Sequence, residues 1–338
     1  MKRFYPLQKN GRFYQNNDQE PCKWFLPTVV IFLQTWWQSI IRPVSKEAAL
    51  WAVPVSYPVR SEKPFFTWLG QSTFLIQIGN KNILTDPIFG NLSYIFSRII
   101  PSKIDVKNLP PIDYVILSHN HPDHMDIDSL LKIQKNNPQV KVLVPMGDKA
   151  WFDDHGFINA SEHMWWDEIE ADGVKFTFLP AKHWSQRGLF DKNKSLWGSW
   201  MIEHDGFKFY FAGDTGWDRH FSVIGSVFKS IDVALMPIGP GEPREWMKHS
   251  HINAEEAGKA FLALKARWFV PMHWGTFNLG SEMFKEPVTR IKNWWAAHKE
   301  QCAHKVLKVV KIGELVECMK ENIIALSHLK SKSRSKVL

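Results

Sequence analysis

Residues Ser118–Asp126, SHNHPDHMD, hold His119, His121, Asp123 and His124 in one short stretch directly behind the apolar run IDYVIL. Imidazole nitrogen and carboxylate oxygen are the donors that borderline metals such as zinc prefer, and catalytic sites leave a position open for water. In an irregular loop, positions i and i+2 can converge on one metal while i+4 and i+5 reach another. A chance local crowd of histidines is the alternative. The placement at the end of a strand favours ligation.

Two metals need more donors than one loop supplies. They are found behind three later apolar runs: His183 after VKFTFLPAK, Asp214 after FKFYFAG and His273 after RWFVPM. Taken singly, His183 or His273 reads as an ordinary buried histidine, and Asp214 in GDTG as a turn former. All three fall at equivalent strand ends, however, and together they point to a shared centre.

Outward from the loop, FFTWLG, STFLIQIG and NILTD form an expected antiparallel series with Gly79-Asn80 as a turn. IDYVILSH predicts a buried strand, DIDSLLKIQKNN a helix and KVLVP the next strand. The second half repeats the pattern with strands in VKFTFLP, GSWMIEH, FKFYFAGD, VALMPIG and RWFVPMHW. NAEEAGKAFLALKA is expected to be a helix capped by Asn253. Two β-rich halves with helices outside make an α/β fold, a four-layer sandwich. We divide the chain into an N-terminal extension at 1–60, a catalytic domain at 61–322 and a basic tail at 323–338.

The 338 residues can bury a large core, and the 44% hydrophobic content is that of a globular chain. A net charge of +8 favours anionic partners, although many basic enzymes bind none. Cys22, Cys302 and Cys318 are scattered, so neither a disulfide framework nor a thiolate zinc site is indicated, and a reducing, cytoplasmic setting fits. The 17 tryptophans imply either a large aromatic core or an apolar groove or lipid-facing rim. The apolar stretch 24–41 is interrupted by Pro27, Gln34 and Gln38 and is marginal for a bilayer span of roughly 20 residues. No small-residue cleavage site follows it. It reads either as a helix packed on the body or as an interfacial helix in peripheral contact with a membrane.

HNHPDH, GDTG and MHWG, in that order, resemble the metal motifs of the metallo-β-lactamase superfamily. The resemblance implies the αβ/βα sandwich of that superfamily and two zinc ions per chain; nitrogen and oxygen donors also suit iron or manganese. It implies one ion held by His119, His121 and His183, a second by Asp123, His124 and His273, and Asp214 shared between them. From about Thr67 onward, TWLGQSTFLIQI, TDPIF, PAKHWSQRGLFDKNKSLWGSW, FAGDTGW, IGPGEPREWMKHSHINAEEA and MHWGTFNL resemble the N-acylphosphatidylethanolamine-hydrolysing phospholipase D family and its bacterial relatives. Two departures, Pro122 and Ser250, are expected on the substrate side, where they would bear on lipid preference.

The expected activity is phosphodiester hydrolysis of a phospholipid substrate, releasing phosphatidic acid and an N-acylethanolamine. A water activated by two metals is the expected nucleophile, and Asp123 would hold its proton. His251, in KHSHINAEE, would contact the phosphate or protonate the leaving group; a surface histidine before a helix is the plainer reading. A lactonase or carboxylic ester hydrolase could use the same centre, and a non-catalytic binding protein would be expected to lack some ligands. No basic recognition helix or aromatic stacking motif points to nucleic acid. A homodimer is implied by the resemblance alone.

Overall fold

The computed structural model describes residues 2–15, 46–92, 96–100 and 104–318. After a small hairpin, β1 (Leu7–Lys9) and β2 (Arg12–Tyr14), the first large sheet is built from β3 (Phe65–Gly70), β4 (Thr73–Ile78), β5 (Lys81–Thr85), β6 (Tyr114–Ile116), β7 (Lys141–Pro145) and β8 (Ala160–His163). The second takes β9 (Glu168–Ala171), β10 (Val174–Leu179), β11 (Ser199–His204), β12 (Phe207–Phe211), β13 (Ile231–Pro237), β14 (Ala266–Met272) and β15 (Val306–Leu307). The chain then returns to the first sheet as β16 (Leu315–Glu317), antiparallel to β3.

The strand orders are β16-β3-β4-β5-β6-β7-β8 and β15-β14-β13-β12-β11-β10-β9. In each sheet antiparallel neighbours give way to parallel ones, at β5–β6 and at β12–β13. Parallel pairs need crossovers, and these supply the helices. Ile127–Asn136 joins β6 to β7, His220–Phe228 joins β12 to β13, and Ala254–Leu264 joins β13 to β14. A further helix, Glu286–Ala297, lies against Ala254–Leu264 where Gly258 leaves room for the Trp294 ring. The four layers are therefore present. Asp126 caps the first crossover helix through the Ser129 amide, and Asn253 caps Ala254–Leu264 in a reciprocal box with Glu256.

The space between the sheets is filled largely by aromatic rings. Tyr114 meets Phe176 at 4.9 Å and Phe178 meets Trp200 at 4.7 Å. Trp68, Trp165, Trp197 and Trp200 are fully buried, as the core reading of the tryptophans expects. Their indoles also bind backbone. Trp200 Nε1 donates to the carbonyl of Leu117, Trp197 Nε1 to that of Ala181 and Trp68 Nε1 to that of Gln71. Each acceptor lies within two residues of, or itself lines, a site-bearing loop.

The described parts of the N-terminal stretch lie on the body. Phe4 and Phe13 are buried, Trp166 Nε1 donates to the Phe4 carbonyl, and the Val53 amide donates to Ile312. The apolar stretch 24–41 and the basic tail 323–338 lie outside the described residues. Among the described residues no helix is long and apolar enough to cross a membrane.

Candidate metal centre

All four predicted segments bring their polar residues to one end of the sandwich. His119, His121, Asp123 and His124 follow β6, His183 follows β10, Asp214 follows β12 and His273 follows β14. Parallel alignment of β12, β13 and β14 points their carboxyl ends the same way, so Asp214 and His273 arrive together. His273 takes a left-handed backbone, φ 58°, which turns its ring into the cluster.

The donor atoms fall into two neighbouring groups, His119/His121/His183 and Asp123/His124/Asp214/His273. In the first, His121 Nδ1 is 2.8 Å from His119 Nε2 and 3.1 Å from His183 Nε2. In the second, His124 Nε2 is 3.2 Å from both His273 Nε2 and Asp214 Oδ2, and Asp123 Oδ2 is 3.4 Å from His273 Nε2. Tetrahedral ligands about 2.0–2.1 Å from zinc lie about 3.3 Å apart, so these spacings fit a cation in each group. Asp214 Oδ2 also approaches His183 Nε2 at 4.0 Å, which places this carboxylate between the two.

The outward ring nitrogens are occupied, as ligating histidines require. His183 Nδ1 donates to the Ser250 carbonyl at 2.8 Å, and His124 Nδ1 to Asp86 Oδ2 at 2.7 Å. His119 Nδ1 meets Ser118 Oγ at 2.9 Å, and that hydroxyl donates to Asp86. The three Nε2 atoms are thereby left to face inward. His121 is turned the other way: its Nδ1 faces the group, and its Nε2 has no protein partner.

The two groups differ electrostatically. Burial holds the His119 imidazole well below its ordinary range and lowers His121 and His183 to about 3, so all three are neutral. Burial opposes charge in the other group as well, but Asp214 and Asp123 outweigh it, raising His124 well above the usual range and His273 to about 9. In return, His124 and His273 keep both carboxyls well below theirs despite burial.

Asp86 and Gln71 also belong to the centre, although motif spacing does not reveal them. Asp86 follows β5 and accepts from the Ser118 amide and hydroxyl as well as from His124. The same strand-end position that marks Asp214 marks Asp86 in TDPIF. Gln71 Nε2 donates to Asp123 Oδ2 at 2.9 Å and lies 2.9 Å from His273 Nε2. Arg187 ties the histidine loop at both ends, donating to the carbonyls of Asn120 (3.1 Å) and Met125 (2.7 Å). Asn120 in turn donates to Asp148, whose carboxyl burial raises to about 7.

His121 and His251 are partly exposed, while the other metal candidates are buried. His251 Nδ1 lies 3.7 Å from Asp214 Oδ2, and its ring is 5.1 Å from that of His183. Its backbone is held by Arg244, which donates to the His251 carbonyl and pairs with Glu256. Pro122 is exposed, next to the partly exposed His121. Ser250 is not: it is buried behind His183, and its backbone carbonyl makes the contact. Beside His273 an open pocket is lined by Ile99, Pro240, Trp274, Phe277, Leu279 and Phe284.

Buried histidines and aspartates gathered at the strand ends of a layered sandwich make a site for divalent metal, and the relatives of this chain place it among the metal-dependent hydrolases. The family model described as "Beta-lactamase superfamily domain" matches residues 81–274, a span containing every candidate ligand. An N-acyl-phosphatidylethanolamine-hydrolyzing phospholipase D 1 of Caenorhabditis elegans is 35% identical over 269 residues, 75% of each chain. A mitochondrial protein of the same description from Saccharomyces cerevisiae is 36% identical over 70% of this chain, which spans about half (53%) of the yeast protein. Among solved structures, the metallo hydrolase Igni18 of Ignicoccus hospitalis aligns with a TM-score of 0.58 and 25% identity, over 75% of this chain and 97% of that one. The chain belongs to the metallo-β-lactamase superfamily, with N-acylphosphatidylethanolamine-hydrolysing phospholipase D homologues.

Proposed function

We propose that the chain is a two-zinc phosphodiesterase of the phospholipase D type, hydrolysing N-acylphosphatidylethanolamine to phosphatidic acid and an N-acylethanolamine. The observation that carries this reading is the pair of donor groups sharing Asp214, with His251 beside them on the open side. The similarity to relatives of that description supports the substrate class. The open pocket next to His273 has Ile99, Trp274, Phe277 and Leu279 beside Glu282 and Asn278 in its lining, so an amphipathic substrate would meet both apolar and polar groups there.

His119, His121 and His183 would hold one ion, Asp123, His124 and His273 the other, and Asp214 both. Bound ions supply Lewis acidity and lower the pKa of water from 15.7 to about 7. Asp123 orients the attacking water and accepts its proton in a hydrogen bond. Asp86 and Ser250 fix the ring orientations of His124 and His183, so the nitrogen lone pairs need no rearrangement. His251 contacts the phosphate or donates a proton to the departing ethanolamide oxygen. We take the enzyme to work in the cytoplasm, peripherally at a membrane and as a homodimer, with the stretch 24–41 as one membrane contact and no nucleic-acid partner.

The test is a labelled N-acylphosphatidylethanolamine given to the zinc-loaded protein. Absence of phosphatidic acid rejects the assignment, and turnover of acyl-homoserine lactones or carboxylic esters in its place would show that the centre serves carbonyl chemistry. Elemental analysis should find two zinc ions per chain; iron or manganese would revise the metal. His251→Gln is expected to lower kcat by about 100-fold with metal content unchanged. An unaltered kcat would remove His251 from the reaction.

Metal loading should depend on pH differently in the two groups. The histidines of the first are already neutral, so an ion there displaces no ring proton near pH 7. His273 is protonated below about pH 9 in the metal-free chain and the neighbouring carboxylates hold His124 protonated well above the ordinary histidine range, so an ion there must displace their protons. Affinity at the second group should therefore rise with pH, by about tenfold per unit for each proton displaced. Equilibrium dialysis from pH 8 to pH 6 should show the stoichiometry falling toward one ion. Simultaneous loss of both ions would contradict the difference.

A further inference from the structure

The segment that carries His183 continues into a turn, Gln186–Asp191, where Leu189 and Phe190 are 87% and 81% exposed. A single exposed apolar residue is ordinary. Here two adjacent ones are held outward on a fixed backbone. The Asp191 carboxylate accepts from the amides of Arg187 and Gly188, at 3.2 and 2.9 Å. Arg12 donates to the carbonyls of Phe190 and Lys192, the Phe13 amide donates to Asn193, and the Asn193 amide to Ser185. The base of the turn is joined to the histidine loop through Arg187.

The surroundings of this tip are basic. Lys192 and Lys194 follow it, Arg12 grips it, and Lys9 lies opposite Arg12 in the β1–β2 register. The acid of the turn, Asp191, is engaged by its own backbone amides. Lys192 Nζ lies 5.9 Å from the Trp184 ring, which in turn packs 4.3 Å from His121 at the mouth of the centre. Two side chains are too little for a stable protein interface, which needs about 800 Å² per partner. Together with four cations they suffice for an interfacial anchor.

We propose that the Leu189–Phe190 tip docks on an anionic phospholipid bilayer, the two side chains entering the interface while Lys9, Arg12, Lys192 and Lys194 lie against the headgroups. This deepens the phospholipid reading above and rests on it, because docking here turns the open side of the metal centre toward the lipid. The test uses the full-length, metal-loaded protein and the double variant Leu189→Ser, Phe190→Ser in sedimentation with vesicles. Vesicles of phosphatidylcholine alone are compared with vesicles that also contain phosphatidylglycerol.

The wild type should bind the anionic vesicles preferentially and release them as salt is raised. The double variant should lose about 100-fold in vesicle affinity, while metal content and turnover of a soluble phosphodiester stay unchanged. Equal binding by both forms, no preference for anionic vesicles, or no vesicle binding by the wild type overturns the proposal. The two readings fail separately. Tip-dependent binding without release of phosphatidic acid would refute the substrate and leave the tip standing; turnover in detergent with tip-independent binding would do the reverse.

Discussion

Changing Asp214 to asparagine is expected to lower kcat/KM by on the order of 1000-fold. Its Oδ1 is 3.1 Å from His273 Nε2 and its Oδ2 3.2 Å from His124 Nε2, so the side chain faces donors of the second group. It is also the carboxylate nearest His183 and His251. An amide keeps the shape but loses the charge and turns a donor toward the place of a cation. Metal analysis of the variant should show depleted ions, with the far-ultraviolet spectrum of the folded chain retained. Full metal content together with more than about a tenth of the original activity would remove Asp214 from its proposed place.

Trp200→Ala should destabilise the chain by about 3–5 kcal/mol, the usual cost of emptying a large buried aromatic site. The ring is completely buried, packs on Phe178 and lies 5.8 Å from His163. Trp200→Phe separates packing from hydrogen bonding. It keeps most of the ring contact but leaves the Leu117 carbonyl without its donor, at a cost of about 1–3 kcal/mol. Urea unfolding of both variants in the presence of metal checks the order. Equal losses would mean that the ring packing adds nothing measurable beyond the indole N–H, and an unaltered Trp200→Phe that the N–H contributes nothing.

The strands that lead into the site were legible because the last residues of β6, β12 and β14 are buried and apolar up to the point where each leaves the sheet and a polar residue follows. That is why VILSH, FYFAGD and FVPMH disclosed both the sheets and the site. The edge strands gave no such mark. Glu168–Ala171 alternates only between exposed and half-buried positions, and β16 joins the first sheet from the far end of the chain. Helix His220–Phe228 starts without a side-chain cap, so no start signal precedes it. Gln71 and Asp86 meet their partners across long sequence separations, which spacing within a motif cannot show. Ser250 misled the reading because its contribution is a backbone carbonyl, which any residue supplies.

The tryptophan tethers bear on how the cofactor is captured. Trp200 stands on the second sheet while the carbonyl it grips, Leu117, leads into the histidine loop of the first, so neither half can shape that loop alone. The entropy of arranging the ligands is thus lost during folding, not when the ion arrives. A chelated sample should therefore behave as a folded apoprotein that regains its ions directly, unlike small zinc domains in which capture and folding are one event.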